Sequence, residues 1–186
     1  LQDQKRLVAD VSHELRTPLT VIKGEIGLIK KYQKIDDESI QSIESEVDRL
    51  TRLVGNLLLI SQAETGDLPM EFRSFALDEL VYEVFHHMNT LAADKLNVCL
   101  EHLDQINIIG DRDRLKQVML NLIGNAIQYT TPGGKVCIKL KQIGELAVFS
   151  VADNGPGIAK EDLNHIFDRF FRGEKSRTRT RHAGFG

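Results

Sequence analysis

A chain of 186 residues with 41% hydrophobic content can bury one or two modest cores. Its 24 Lys and Arg against 27 Asp and Glu leave a net charge of -3, which argues against a nucleic-acid binder acting through a basic surface. No apolar run approaches the ~18 residues of a membrane span, and the start lacks a signal-peptide pattern. A cytoplasmic fragment with no membrane contact of its own is expected. The chain opens inside a helical pattern without an N-cap and closes on glycines that normally begin something. Both ends therefore read as cuts from a longer parent, which can carry a membrane anchor elsewhere.

The first 62 residues predict a helical hairpin. Val8, Val11, Leu15, Leu19, Ile22, Ile26 and Ile29 recur at spacings of three and four. Residues 34–37 read as the turn, with Asp37 able to cap the second helix. There Ile40, Ile43, Val47, Leu50, Val54 and Leu57 form a heptad-like seam. Two helices cannot bury two such seams between themselves, so a homodimeric four-helix bundle is expected. A hairpin lying on the second domain is the alternative. Residues 63–69 contain Gly66 and Pro69, break the period and read as a linker. The expected domains are 1–65 and 66–186.

Beyond the linker the pattern is mixed. Residues 77–91 predict a helix, and 98–102 and 106–109 short strands. Residues 111–129 predict an amphipathic helix with Leu115, Val118, Met119, Leu122, Ile123 and Ala126 on one face. Residues 131–134 form a turn. Residues 135–141 alternate, with Val136, Ile138 and Leu140 inward and lysines outward. Residues 145–153 are more uniformly apolar and read as the central strand. This is an α+β fold, a helix-on-sheet sandwich after a helical hairpin, with no internal repeat. Cys99 and Cys137 lie in strand-like stretches, as buried or edge thiols of a reducing compartment; one disulfide between them is the alternative.

Residues 10–20 read Asp-Val-Ser-His-Glu-Leu-Arg-Thr-Pro-Leu-Thr. His13 stands two residues from Val11 and from Leu15, about 200° around the helix from each, so it faces solvent. An exposed imidazole is largely unprotonated near neutral pH and is a competent nucleophile. Glu14 adjoins it and can orient or deprotonate a ring nitrogen, and Thr17 sits one turn on. Pro18 removes a backbone donor and is expected to bend the helix. His86, His87, His102, His165 and His182 read as ordinary surface residues.

Val-Ser-His-Glu-Leu-Arg-Thr-Pro-Leu-Thr resembles the phosphoacceptor box of bacterial sensor histidine kinases. The resemblance implies that His13 is phosphorylated, that Glu14 assists transfer, and that Thr17 positions water for dephosphorylating the partner.

Asn121 and Asn125 are four residues apart, so both amides face one way. Neutral amide oxygens suit a magnesium ion that already carries ATP phosphates. Asp153 follows a predicted strand, where a carboxylate can accept a hydrogen bond from the adenine amine; Gly155 and Gly157 permit close ligand approach. Arg169 and Arg172 are candidate phosphate contacts or solvated charges. The segment 173–186 is polar and basic, as a mobile lid or a solvated loop would be.

Asn-Leu-Ile-Gly-Asn-Ala-Ile-Gln-Tyr-Thr resembles the family's asparagine box, and Asp-Asn-Gly-Pro-Gly-Ile its first glycine box. Phe-Asp-Arg-Phe-Phe-Arg from Phe167 is similar to its phenylalanine box, whose aromatics anchor the nucleotide lid. Gly184-Phe185-Gly186 resembles the start of the second glycine box, within which this sequence stops. The resemblance implies a Bergerat-type, GHKL-class ATP-binding fold. In it Asn121 and Asn125 hold magnesium and phosphates, Tyr129 flanks adenine, Asp153 reads it, and Gly155, Gly157, Ile158, Gly184 and Gly186 line the site. Gln128 stands where the family commonly has Lys and offers no charge to a phosphate.

The implied reaction is ATP-dependent phosphorylation of His13, the second domain swinging to bring the γ-phosphate in line, followed by transfer to an aspartate of a response-regulator receiver domain. A gyrase-like ATPase without self-phosphorylation, and a dimeric scaffold or pure phosphatase using Thr17, are the competing readings.

Overall fold

The structure, a computed structural model, describes residues 2–92 and 95–168, with side chains from Val11 onward. Two compact units divide it. One runs through Leu68 and includes the segment from Asn164; the other is Pro69–Leu163. No helix among the described residues is long and apolar enough to cross a membrane.

The first unit is an antiparallel hairpin of α1, Gln2–Tyr32, and α2, Asp37–Thr65. The cap of α2 is Asp36, one residue earlier than the sequence indicates. Its side chain accepts from the Ser39 amide at 2.8 Å. The N-cap side chain reaches the third helical residue, and only Asp36 stands at that distance from Ser39. Asp37 instead joins Glu38 in the first turn, where negative charge meets the positive helix end. At the other end α2 continues to Thr65, into the stretch read as linker. Gly66 stops it by turning left-handed (φ 76°), and Asp67 N–H reaches the Gln62 carbonyl at 2.9 Å.

The seam of the hairpin is only half covered. Leu15, Ile22 and Ile29 of α1 and Ile43, Leu50 and Leu57 of α2 are half-buried. The alternate positions Leu19, Ile26, Ile40, Val47 and Val54 are exposed, Val54 to 56%. No residue of α2 is fully buried. A heptad carries two apolar positions per repeat, and one partner helix covers one of them. Helix α1 runs through Pro18 without interruption, and Pro18 is buried.

The second unit packs α3, Leu77–Ala92, and α4, Arg112–Tyr129, on strands. β1, Arg73–Ala76, pairs antiparallel with β3, Asn107–Gly110. β2, Asn97–Leu103, pairs parallel with β4, Lys135–Ile143, which pairs antiparallel with β5, Leu146–Asp153. Leu80, Val81 and Val84 of α3, Met119, Ile123, Ala126 and Ile127 of α4, and Val136, Ile138 and Leu140 of β4 form the core. Each large side chain of this set contributes about 1.5–3 kcal/mol by leaving water.

Two expectations are corrected here, and one strand is added. Among the described residues the central strand is β4, not β5. β4 pairs on both edges and buries Val136, Ile138 and Leu140 on one face, whereas Leu146 and Val148 of β5 stay exposed. A run of apolar letters does not distinguish these two environments. The packed line of α4 is Met119, Ile123, Ala126 and Ile127, while Val118 and Leu122 are about half exposed. One sheet face covers one helical stripe, and the second apolar stripe is left over. β1 was not anticipated, because Arg-Ser-Phe-Ala is too short to alternate and runs directly into α3.

Asp111 joins the pieces. As N-cap of α4 it accepts from Asp113 and Arg114 amides at 3.1 and 3.0 Å, and its second oxygen takes the Glu71 amide at 2.8 Å. The Glu71 amide, then Arg114, hold this carboxyl below its ordinary range.

Candidate functional site

The described structure offers two chemical patches, one in each unit. On α1, His13 is exposed, as its angular position requires. Glu14 beside it is half-buried, and its Oε2 lies 3.2 Å from Nη2 of Arg49 on α2. Arg49 also approaches Glu46 at 3.6 Å. Arg49 is absent from the sequence reading, because a partner thirty-five positions away leaves no local signal. Thr17 is exposed, and its hydroxyl donates to the His13 carbonyl at 3.4 Å. An open groove lined by Ser12, Leu15, Arg16, Leu19, Thr20 and Lys23 runs along the same helix. Three of the histidines read as surface residues have local partners: His86 with Tyr82 at 3.0 Å, His102 with Asp104 at 2.8 Å, His165 with Asp168 at 2.7 Å; His182 lies outside the described residues.

In the α/β unit, Asn121 and Asn125 are exposed, opposite the buried line of α4. Tyr129, one further turn on, is 37% exposed. Asp153 ends β5, and its Oδ1 accepts from the Gly155 amide at 2.9 Å. The Asp153 turn lies directly against the end of α4. A Cβ on Gly155 would come within 2.8 Å of Asp153 Oδ1 and 3.0 Å of the Tyr129 carbonyl. Glycine is therefore required, and its absence of a side chain is what brings Tyr129 and Asp153 to one place. Gly157 is left-handed (φ 68°) and Ile158 beside it is exposed.

Sequence reading missed the residues that fasten this corner. Thr130 is buried, and its hydroxyl donates to the Ala126 carbonyl at 2.7 Å, closing α4. Asn154 Oδ1 accepts from the Lys135 amide at 2.8 Å, and its own amide donates to the Lys135 carbonyl at 3.2 Å. These bonds tie the end of β5 to the start of β4. Asn154 was legible as turn chemistry within Asp-Asn-Gly; Thr130 carried no signal.

Phe167 is 93% exposed among the described residues. Phe170, Phe171, Arg169, Arg172, Gly184 and Gly186 lie outside the described residues. The donor set fits a magnesium-bound triphosphate: two exposed neutral amides one turn apart, a carboxylate with its second oxygen available, and a backbone cradle that a Cβ would fill.

Residues 3–66 match the family model of the His Kinase A (phospho-acceptor) domain, and residues 110–186 that of the histidine kinase-, DNA gyrase B-, and HSP90-like ATPase. The signal transduction histidine-protein kinase BaeS of Escherichia coli (strain K12) is 36% identical over 184 residues, covering 96% of this chain and 38% of the relative. The chain thus spans well under half the length of the curated relatives it matches. Among solved structures, the Acinetobacter baumannii histidine kinase AdeS superposes with a TM-score of 0.72 at 32% identity, covering 82% of this chain and 78% of that one. Histidine kinase ThkA, solved in complex with response regulator protein TrrA, superposes with a TM-score of 0.68 at 31% identity, covering 90% of this chain and 50% of that one. With both segments matched in order and a solved relative covered over most of its length, this chain belongs to the sensor histidine kinase family.

Proposed function

We propose that this chain is the catalytic core of a two-component sensor kinase, residues 1–65 serving dimerisation and phosphotransfer and residues 66–186 binding ATP. His13 is the acceptor. The observation that carries this reading is the exposed imidazole of His13, flanked by Glu14 and Thr17, in a chain that also holds the Asn121, Asn125 and Asp153 set.

An unprotonated ring nitrogen of His13 attacks the γ-phosphorus of ATP in line with the departing ADP oxygen. Glu14 accepts or orients the proton on the other ring nitrogen, and Arg49 holds Glu14 in place. Asp153 accepts the adenine amine with its second oxygen and Tyr129 flanks the ring, while Asn121 and Asn125 would hold the metal through neutral amide oxygens. Gly155, Gly157 and Ile158 line the adenine side. A magnesium ion, when bound there, neutralises the charge developing on the β- and γ-phosphates. The resemblance to the family's motifs assigns further phosphate-binding roles to Arg169, Arg172, Gly184 and Gly186, which lie outside the described residues.

The phosphoryl group then passes from His13 to an aspartate of a response-regulator receiver domain. The ThkA complex with response regulator protein TrrA supports docking there. Thr17 positions water for the reverse, phosphatase reaction. The uncovered half of the heptad supports a homodimeric bundle, and the parent acts at the cytoplasmic side of a membrane-anchored sensor.

Replacing His13 with Gln tests the assignment. Label from γ-labelled ATP should vanish while nucleotide binding persists. Persistent acid-labile, base-stable label on the variant would refute His13 as acceptor.

A further inference from the structure

The parallel register sets Cys99 of β2 opposite Cys137 of β4. Both are free thiols, and their sulfurs are 2.8 Å apart. Val136, Ile138 and Leu140 are fully buried on one face of β4, so Cys137 projects from the other face, together with Lys135 and Lys139. There the two ammonium groups hold Glu101 at 3.2 and 2.7 Å. Directly paired neighbouring strands lie about 4.8 Å apart, within the span that a disulfide bridges. The sulfurs need to approach by less than about 1 Å to reach the bond length of about 2.05 Å.

We propose that Cys99 and Cys137 are a reversible dithiol–disulfide site on this face of the sheet, oxidised by hydroperoxides. The two cysteines have unequal roles. Cys99 is half-buried and meets the oxidant, whereas Cys137 is only 8% exposed. Burial pushes the Cys137 thiol up to about 11, so it keeps its proton near neutral pH. The Cys99 thiol reduces a hydroperoxide ROOH, gains a hydroxyl as sulfenic acid and releases ROH. The Cys137 sulfur then attacks the sulfenic sulfur. An S–S bond forms, the S–O bond breaks, and the hydroxyl leaves as water with the Cys137 proton. The two thiols have then supplied two electrons to the peroxide.

The bond closes a covalent ring from residue 99 to residue 137. That ring contains all of α4, and with it Asn121, Asn125 and Tyr129. Cys137 also pairs with Ala152, the residue before Asp153. Oxidation therefore stiffens the frame on which those side chains stand. Cys99, Glu101 and Cys137 also offer three donor atoms within 4.8 Å of one another. Both lysines engage Glu101, however, and their charge opposes a dication, so the dithiol chemistry is the favoured use.

Hydrogen peroxide treatment of the full chain, then denaturing alkylation without reductant and intact-mass measurement, tests this. The expected product has lost the two thiol hydrogens and takes no alkyl group, and dithiothreitol restores both alkylation sites. In Cys137→Ala protein, Cys99 should instead gain oxygen. Wild-type protein that gains oxygen in the same way, stays fully alkylatable, or links Cys99 between chains would overturn the proposal. So would a zinc arm in which the metal masks both thiols, a chelator frees them, and peroxide forms no cross-link.

Discussion

The Arg49 guanidinium on α2 lies 3.2 Å from the Glu14 carboxylate, the residue next to His13 on α1. Both side chains are about one-third exposed, so the pair contributes less than about 1 kcal/mol to stability. Its consequence lies in orientation. Glu14→Gln should lower the initial rate of His13 labelling by roughly 100-fold. Arg49→Ala should act in the same direction by about tenfold, with an unfolding midpoint in urea close to that of the parent. An Arg49→Ala protein that labels at the parental rate would show that the ion pair is incidental.

Gly155 has no room for a methyl group. Gly155→Ala should cost about 1–3 kcal/mol, because the new Cβ would press on Asp153 Oδ1 and the Tyr129 carbonyl. Nucleotide affinity should fall by at least about tenfold, since those two residues would be pushed apart. Gly144→Ala serves as the contrast: its backbone is left-handed (φ 62°), unlike that of Gly155, and nothing lies within 4 Å of its added Cβ. It should leave nucleotide binding unchanged. Calorimetric titration with an ATP analogue reads both.

The exposed half of the α2 seam sets the oligomeric state. Val47→Glu, or Val54→Glu, places a charge where the half-covered heptad requires an apolar partner. Sedimentation equilibrium should find parent dimers and variant monomers. A parent that sediments as a monomer at micromolar concentration would remove the basis for the bundle.

Depressed carboxylates, Glu101, Asp104 and Asp111 among them, make the α/β unit acid-sensitive. Lys139 first, with Cys137 and Lys135, lowers Glu101 to about 2. The Gln142 amide and then His102 lower Asp104, and the Glu71 amide lowers Asp111. In each case the folded value lies below the unfolded one of about 4, so the unfolded chain takes up protons first. Their stabilisation is complete above that range and is lost as pH falls through the folded values. Urea midpoints should be flat from about pH 7 to 5 and drop steeply between about 4 and 2. Asp111→Asn should make that acid limb shallower.

The helical hairpin, α3, β2, β3, α4 and β4 were legible in the sequence, because periodicity, caps and turns are written within four or five residues of one another. His13 was legible as solvent-facing for the same reason: its angle from Val11 and Leu15 is a property of one helix. The family motifs added the order of the segments. Tertiary structure decided the rest. It made β4 rather than β5 central, since strand order depends on which chain segments meet across the fold. It selected Met119, Ile123, Ala126 and Ile127 from two apolar stripes, since only one faces the sheet. It paired Glu14 with Arg49, Gly155 with Tyr129, and Cys99 with Cys137. Each pair joins residues more than twenty positions apart, and contacts at that range arise only when elements pack, so no local window of sequence encodes them.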